Sequence, residues 1–196
     1  MMAEAEGRKP RADGLRNRER LIDVAKLAFA EIGPNVSLEE IARRAEVGIG
    51  TLYRHFPTRD DIIAAVYRRE VTQLADAAKR LLETRPAGEA LHEWLRLFVD
   101  YIATKKVIAP ALASMTGGTS ALYESSIDLM KGAIADLVEK AIAAGDIRPD
   151  VEPFDLVQAL GSFAMGVSTS PGWETRTLRL IDILMDGLRS GASGGH

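Results

Sequence analysis

Helical periodicity runs through nearly all of this 196-residue sequence. Between residues 16 and 190, apolar side chains recur every three or four positions, and no stretch alternates apolar and polar residues as a half-buried strand does. The periodic segments end at glycines and prolines, such as Gly33-Pro34 and Pro171-Gly172. The spacing predicts helices at about 16–32, 37–45, 49–55, 58–83, 88–104, 109–116, 119–144, 153–169 and 174–190. We therefore expect an all-α fold of about nine helices.

Two of these helices are short and follow each other closely. Ser37 precedes the first, and Glu40 lies where the partner of a capping box is expected. A break at Glu46-Val47-Gly48 separates it from the second, Ile49 to His55. Two short helices joined by a tight turn after a longer helix have the outline of a helix-turn-helix. Other helical hairpins share this outline, so the periodicity alone leaves the function of the segment open.

The charges of the chain are unevenly distributed. The net charge of −3 argues by itself against binding of nucleic acid. Between Arg8 and Arg59, however, eleven Lys or Arg residues stand against seven Asp or Glu, and six of the basic residues lie within Arg8 to Arg20. A basic N-terminal segment on an acidic body is typical of a protein that binds phosphates with one end. A solvated run of charges is the alternative interpretation.

The second short helix has an apolar side and a side free for contacts. Its apolar anchors are Val47, Leu52 and Phe56. The remaining residues can face outwards: Ile49, Gly50, Thr51, Tyr53, Arg54 and His55. Gly50 lets the helix approach a phosphate backbone closely, and the hydroxyl of Thr51 can donate to phosphate oxygens. Tyr53 could instead belong to the core and His55 could merely end the helix, but for both we favour contact with phosphate.

These residues carry a resemblance to a known family. The stretch Arg18 to Val66, with "GTLYRHF" after "SLEEIARRAEV", resembles the DNA-binding domain of the TetR family. The matching residues are Phe29, Gly33, Ser37, Ile41, Ala42, Ala45, Val47, Gly50, Thr51, Leu52, Tyr53, His55 and Phe56. The part from "WLRLFVDYIATK" through "AIAAGDIRPDVEPFDL" is more loosely similar to an actinobacterial-type ligand domain of that family. The resemblance implies a homodimeric regulator that binds operator DNA and a small molecule.

The DNA contacts expected from the residues and the resemblance are Arg16, Arg18, Ser37, Gly48, Ile49, Gly50, Thr51, Tyr53, Arg54, His55 and Arg59. Three positions depart from the family pattern. Gly48 stands where a Ser or Thr is common, and Ile49 stands where a Lys is frequent. Glu46 occupies a turn position usually filled by Gly, which costs about 1 kcal/mol if the turn needs a positive φ. Arg43 and Arg44 are interpreted as a solvated face with the neighbouring glutamates.

Four segments are expected along the chain. Residues 1–15 are predicted to be a disordered basic arm, 16–60 the helix-turn-helix domain, 61–190 a larger helical domain for ligand binding and dimerisation, and 191–196 a flexible tail. The candidate ligand pocket consists of large side chains in the second domain: Trp94, Phe98, Tyr101, Met115, Tyr123, Phe163 and Met165. A packed core is the alternative for each of them. Few polar groups accompany them, so the expected ligand is small and mainly apolar.

The last helix predicts the dimer interface. Its apolar residues cover most of its circumference, so it must be buried against its own chain and against a second one. The preceding helix carries small residues that allow close helix approach, including Gly161 and Gly166. The expected interface residues are Leu160, Phe163, Leu178, Ile181, Leu184, Met185 and Leu188. The resemblance implies the same four-helix arrangement.

Other function classes find little support in the sequence. There is no cysteine, and no order of residues suggests a catalytic triad or a phosphate-binding loop. His92 beside Glu89 and Glu93 is a poor set of metal ligands, so we expect neither a metal nor another cofactor. The longest apolar run, Ile62 to Tyr67, is far shorter than the roughly 20 residues of a membrane span.

The sequence therefore predicts a cytoplasmic, non-enzymatic TetR-type repressor that its ligand releases from a palindromic operator. The alternatives are a helical-bundle enzyme and a dimeric interaction module without DNA binding.

Overall fold

The computed structural model describes residues 8–166 and 171–190. These two ranges form eight α-helices and no strand, which confirms the predicted all-α fold. The helices are α1 (Arg8–Glu31), α2 (Leu38–Arg44), α3 (Ile49–His55), α4 (Arg59–Thr84), α5 (Ala87–Ala113), α6 (Ser120–Ala143), α7 (Pro153–Gly166) and α8 (Trp173–Ser190). None of the helices in these ranges has an apolar stretch long enough to cross a membrane.

Helix α1 begins at Arg8 instead of Arg16. The prediction of a disordered arm over residues 1–15 is therefore wrong for residues 8–15. Most residues of this stretch are strong helix formers, and Pro10 lies in the first turn, where its missing N–H forfeits no helical hydrogen bond. Residues 1–7 and the predicted tail 191–196 lie outside the described ranges.

Helix α5 continues through Pro110, where a break was predicted. The two expected helices 88–104 and 109–116 are one helix that ends at Ala113, followed by a turn. Proline in a helix loses one backbone hydrogen bond and crowds the preceding turn. Here the flanking side chains of Ile108 and Leu112 are both 1% exposed, and their burial holds the last turns in place.

The chain divides into two compact units. Among the described residues, unit 1 comprises 8–69 and 106–120, and unit 2 comprises 70–105, 121–166 and 171–190. In unit 1, α1 packs against α2 and α3, and α2 packs against α3. The core of unit 1 includes Leu21, Phe29, Ile41, Leu52, Phe56 and Ile62, and that of unit 2 includes Leu91, Trp94, Ile134, Leu137, Leu160 and Ile181. The predicted boundary after residue 60 assigned residues 106–120 to the second domain, whereas their contacts group them with the helix-turn-helix.

Candidate nucleic-acid interface

Helix α2 begins at the predicted cap. The Oγ of Ser37 accepts a hydrogen bond of 3.1 Å from the backbone N–H of Glu40. The carboxylate of Glu40 does not complete the reciprocal half of a capping box but accepts hydrogen bonds of 2.8 Å from both Arg43 and Arg44. These bonds lower the pKa of Glu40 to about 2. The interpretation of Arg43 and Arg44 as a face paired with glutamate is confirmed for Glu40.

The turn between α2 and α3 is a Schellman motif with an unusual residue. The N–H of Val47 donates to the carbonyl of Ala42 at 3.0 Å, and the N–H of Glu46 donates to the carbonyl of Arg43 at 3.1 Å. Among the described residues, Glu46 is the one non-glycine residue with a positive φ, 55°. The turn therefore does need the left-handed conformation for which glycine is the usual choice.

Helix α3 presents the side that the sequence predicts. Leu52 and Phe56 are buried, at 0% and 2% exposure, and fix the helix on the core of unit 1. On the other side, Ile49 is 38% and Tyr53 44% exposed. A Cβ added at Gly50 would meet no atom within 4 Å, so the fold of this chain does not itself require glycine there.

The other predicted contacts on α3 are also accessible. Gly48 and Arg54 are exposed, whereas Thr51 and His55 are half-buried. Gly48 caps the helix through its backbone alone, without a side-chain hydrogen bond. The amides of Thr51 and Leu52 donate to the carbonyl of Gly48 at 2.8 and 3.2 Å. The short helix thus offers a row of hydrogen-bond donors beside one exposed apolar residue, the composition needed to contact DNA.

The basic start of α1 lies beside the end of α3. The guanidinium of Arg18 lies 5.3 Å from the ring centre of Phe56 and within 3.5 Å of the carboxylate of Glu19. A Cβ at Gly14 would be 4.0 Å from Cε1 of His55. Arg16 is exposed and pairs with Asp13. Positive charge from α1 is therefore held near the helix that carries the exposed donors.

The guanidinium of Arg59 makes contacts within unit 1 that the sequence does not predict. Its guanidinium donates to the backbone carbonyls of Pro34 and of Val36, the latter at 2.5 Å, and lies 5.7 Å from the ring centre of Phe29. Both ends of the guanidinium are thus committed to the turn after α1. These bonds give Arg59 a structural role, and its contact with DNA stays a prediction.

Three of the predicted pocket residues form a ladder of rings on α5. Trp94 and Phe98 stack with centres 6.0 Å apart, and Phe98 and Tyr101 stack at 5.8 Å. The indole N–H of Trp94 donates to the carbonyl of Leu74 at 2.8 Å. A Cβ at Gly161 would lie 3.9 Å from Cζ of Phe98, so α7 passes close to the ladder. Trp94 is wholly buried and its N–H is hydrogen-bonded, as in a core residue.

The other four pocket candidates differ in exposure and in the unit to which they belong. Met165 is 61% exposed, Phe163 is half-buried, and Met115 belongs to unit 1. The ring centre of Tyr123 lies 4.9 Å from the Nζ of Lys105, whose pKa is lowered by burial. Sequence spacing did not reveal this cation, because Lys105 and Tyr123 lie on different helices.

A cavity of about 420 Å³ in unit 2 involves none of the seven candidates. It is an open groove between α4 and α6, with Ala75, Ala78, Leu129, Gly132 and Ala133 on its apolar surface. Ser125, Lys79 and the carboxylates of Asp76, Asp128 and Asp136 complete its lining. Helical periodicity places such small residues in a core and gives no signal for a groove between two helices.

The predicted dimer residues fall into two sets. Leu160, Ile181 and Met185 are wholly buried within their own chain, so they offer no surface to a partner and their assignment to an interface is corrected. The other four, which are half-buried, are Phe163, Leu178, Leu184 and Leu188. Two apolar residues outside the predicted set, Met165 on α7 and Ile183 on α8, are each 61% exposed. The amphipathic pattern does not reveal which apolar side of these helices faces their own core.

His92 is paired within unit 2. Its Nε2 lies 2.8 Å from Oδ1 of Asp182 on α8, and Arg96 approaches the same oxygen at 3.8 Å. Among the described residues, no three His, Cys, Asp or Glu side chains come together as a metal site.

Two family descriptions match the chain. Residues 21–66 match "Bacterial regulatory proteins, tetR family", and residues 86–190, more than half of the chain, match "Transcriptional regulator SbtR-like, C-terminal domain". An HTH-type transcriptional regulator from Staphylococcus aureus (strain bovine RF122 / ET3-1) is 30% identical over 98 residues, 50% of this chain and 51% of that protein. The chain thus spans about half the length of the curated relatives it matches.

Solved structures match over nearly the full chain. A TetR transcriptional regulator from Streptomyces coelicolor is 41% identical with a TM-score of 0.77, and the match covers 88% of this chain and 98% of that one. A TetR transcription regulatory protein from Mycobacterium vanbaalenii is 33% identical with a TM-score of 0.75, over 91% and 98% of the two chains. The helix-turn-helix geometry and these matches agree, and the chain belongs to the TetR family of bacterial transcriptional regulators.

Proposed function

We propose that this protein is a homodimeric repressor that binds a near-palindromic operator through α3 and releases it when a small molecule binds unit 2. The observation that carries the proposal is the outer side of α3. Ile49 and Tyr53 are large side chains that their own fold leaves exposed, and they flank a glycine that this fold does not require. A recognition helix in a major groove uses such residues.

The chemistry of α3 supports contacts to both phosphates and bases. Thr51, Tyr53 and His55 can donate to phosphate oxygens, which fixes the position of the helix on the duplex. Ile49 can contact thymine methyl groups, and Arg54 can donate to base edges or phosphates. Arg18 supplies positive charge beside them, Arg16 is exposed on the same helix, and the cap residues Ser37 and Gly48 lie at the starts of the two short helices.

Dimerisation through α7 and α8 is the second part of the proposal. A single helix-turn-helix reads about half of an operator, so specific binding needs two. The exposed side chains of Met165 and Ile183 would lose their contact with water in an interface between two copies of these helices. The half-buried Leu184 and Phe163 extend the same surface.

We place the effector in unit 2 and expect a small, mainly apolar molecule beside the ring ladder of α5. Lys105 follows Tyr101 by four residues on α5, and its cation and the half-buried Tyr123 that it contacts would provide polar groups. The groove between α4 and α6 is the alternative place, and its carboxylates favour a ligand that carries a positive charge. A screen for compounds that raise Tm and lower operator affinity identifies an effector.

Two variants then separate the two places. If the effector binds beside the ladder, Tyr123→Ala abolishes both the rise in Tm and the fall in operator affinity. Gly132→Leu abolishes it if the groove does, because a Cβ at Gly132 meets nothing within 4 Å and the longer side chain fills only the groove.

An enzyme and an interaction module without DNA binding are the competing functions. Membership in a family of transcriptional regulators and the exposed donors of α3 favour DNA binding over both. We therefore assign the protein no enzymatic activity. Its operator would lie on the bacterial chromosome, which places the protein in the cytoplasm.

Selection of duplexes from a random pool tests the DNA-binding proposal. The full-length protein is expected to enrich a sequence with two-fold symmetry, and Tyr53→Ala is expected to enrich it less at the same protein concentration. Failure of the wild-type protein to enrich any sequence would overturn the proposal.

A further inference from the structure

The carboxylate of Asp60 is the centre of a hydrogen-bonded contact that DNA recognition does not explain. Its Oδ2 accepts from the backbone N–H of Thr116 at 2.9 Å, from the Oγ1 hydroxyl of Thr116 at 2.8 Å and from the N–H of Gly117 at 3.3 Å. The hydroxyl of Thr116 and the two amides lower the pKa of Asp60, so the group is charged at neutral pH. Three donors on one charged oxygen make a strong contact.

The residues before and after Asp60 in the sequence make different contacts. Thr58 and Asp61 form a capping box at the start of α4: the Oγ1 of Thr58 accepts from the N–H of Asp61 at 3.1 Å, and the Oδ2 of Asp61 accepts from the N–H of Thr58 at 2.9 Å. Arg59 holds the turn after α1. The cap of α4 and its contact with the turn after α1 are thus provided without Asp60. Asp60 instead binds residues 116 and 117.

The turn that Asp60 binds comes from the C-terminal half of the chain. It joins α5 to α6, and it bends through Gly118, whose φ is +74°. Residues 106–120 belong to unit 1, although the segments on both sides of them in the chain belong to unit 2. The match to the family's DNA-binding domain ends at residue 66. The unit that contains the helix-turn-helix is therefore larger than that domain, and it includes the turn.

We propose that Asp60 is a positioning residue for DNA binding, which fixes the first turn of α4, and with it the end of α3, by holding the turn at Thr116 and Gly117. The link to α3 is short, since α3 ends at His55 and α4 begins at Arg59. A change at residues 116–117 would reach the recognition helix through this contact. The inference rests on the proposed DNA binding of α3.

The direction of the change in operator affinity distinguishes a positioning role of Asp60 from a simple effect of its charge. Removing one negative charge from a DNA-binding unit strengthens its attraction to any duplex, because phosphates are negative. Loss of positioning instead weakens binding to the operator and leaves non-specific binding unchanged or tighter. Asp60→Asn therefore has opposite predicted effects on operator affinity under the two explanations.

The experiment compares the affinities of the full-length protein for the selected duplex and for a scrambled duplex. We expect Asp60→Asn to lower the ratio of the two affinities about tenfold, the size of one lost charge-assisted hydrogen bond. Thr116→Val removes only the hydroxyl donor and is expected to lower the ratio less. The double variant should lose less than the sum of the two single losses in free energy, because the residues act together. Glu39→Gln, which also removes one negative charge from unit 1, is the matched control and should leave the ratio unchanged.

Amide hydrogen exchange tests the contact without DNA. In Asp60→Asn, the amides of Thr116 and Gly117 and those of α3 should exchange faster than in the wild type, at a temperature where both proteins are folded. An unchanged or higher affinity ratio in Asp60→Asn, or additive effects with Thr116→Val, would overturn the inference. If the wild type binds no duplex, the proposed function fails, and unchanged exchange in α3 then rejects the positioning role separately.

Discussion

Glu46 adopts a backbone conformation that is unfavourable for a residue with a Cβ. It holds the left-handed position of the Schellman motif that ends α2, with φ of 55°. Helix α6 ends in the same motif, but there Gly145 takes this position with φ of 74°. For a residue with a Cβ, this conformation costs roughly 1–2 kcal/mol.

Glu46→Gly is therefore expected to stabilise the protein. The free energy of unfolding should rise by about 1 kcal/mol, since relief of the strained conformation exceeds the entropy that glycine adds to the unfolded chain. Urea denaturation of the full-length protein measures this change in the free energy of unfolding. Glu46→Gln keeps the strained backbone and removes the charge, so it should unfold like the wild type. Equal stabilisation by both variants would attribute the effect to charge instead.

Glu40 predicts a pH dependence of stability at the acid end. Its pKa is about 2 in the folded protein against an ordinary value of 4.5, because Arg43 and Arg44 donate to its carboxylate. A lowered pKa stabilises the folded state above pH 4.5, and this contribution is lost as the pH falls from 4.5 towards 2. The Tm difference between the wild type and Glu40→Gln should be constant near neutral pH and shrink across that range. A difference independent of pH would show that the two arginines do not stabilise the charged form.

At the scale of the helices, α8 has one exposed apolar side and one buried apolar side. Ile183 is 61% exposed, whereas Met185, two positions later, is wholly buried in its own chain. Ile183→Glu should leave the fold intact, give a monomer in sedimentation and weaken operator binding, because a carboxylate would enter a desolvated interface. Met185→Glu should instead lower Tm strongly, since it places the carboxylate in the core of unit 2. If Ile183→Glu remains dimeric, the interface lies elsewhere.

The short helices were predicted well from the sequence because local signals define them. Ser37 caps α2, and α3 runs from Ile49 to His55 as its apolar spacing indicates. Pro110 was misread because proline is a local signal for a break, whereas the burial of Ile108 and Leu112 keeps α5 continuous. The hydrogen bonds of Arg59 were missed for a similar reason. Its carbonyl partners in residues 34–36 are distant in sequence, and no spacing rule reveals them.

At the scale of the whole molecule, the sequence indicates the end proposed to bind DNA but not how the chain divides. The basic charge and the α3 motif lie in one continuous segment, so they can be recognised directly. Residues 106–120 join the same unit through contacts such as that of Asp60 with Thr116, which link positions far apart in the chain. The proposed ligand site in unit 2 would be equally hard to predict, because residues from several helices would line it.

Footprinting of the full-length protein on the selected duplex tests the central claim most directly. Two recognition helices related by two-fold symmetry should protect two equivalent half-sites with centres about one helical turn of DNA apart, roughly 34–36 Å. Tyr53→Ala should weaken protection of both half-sites equally, since each copy of the chain supplies one tyrosine. Protection of a single asymmetric half-site, or protection that Tyr53→Ala leaves unchanged, would contradict the account of a dimer that reads DNA with α3.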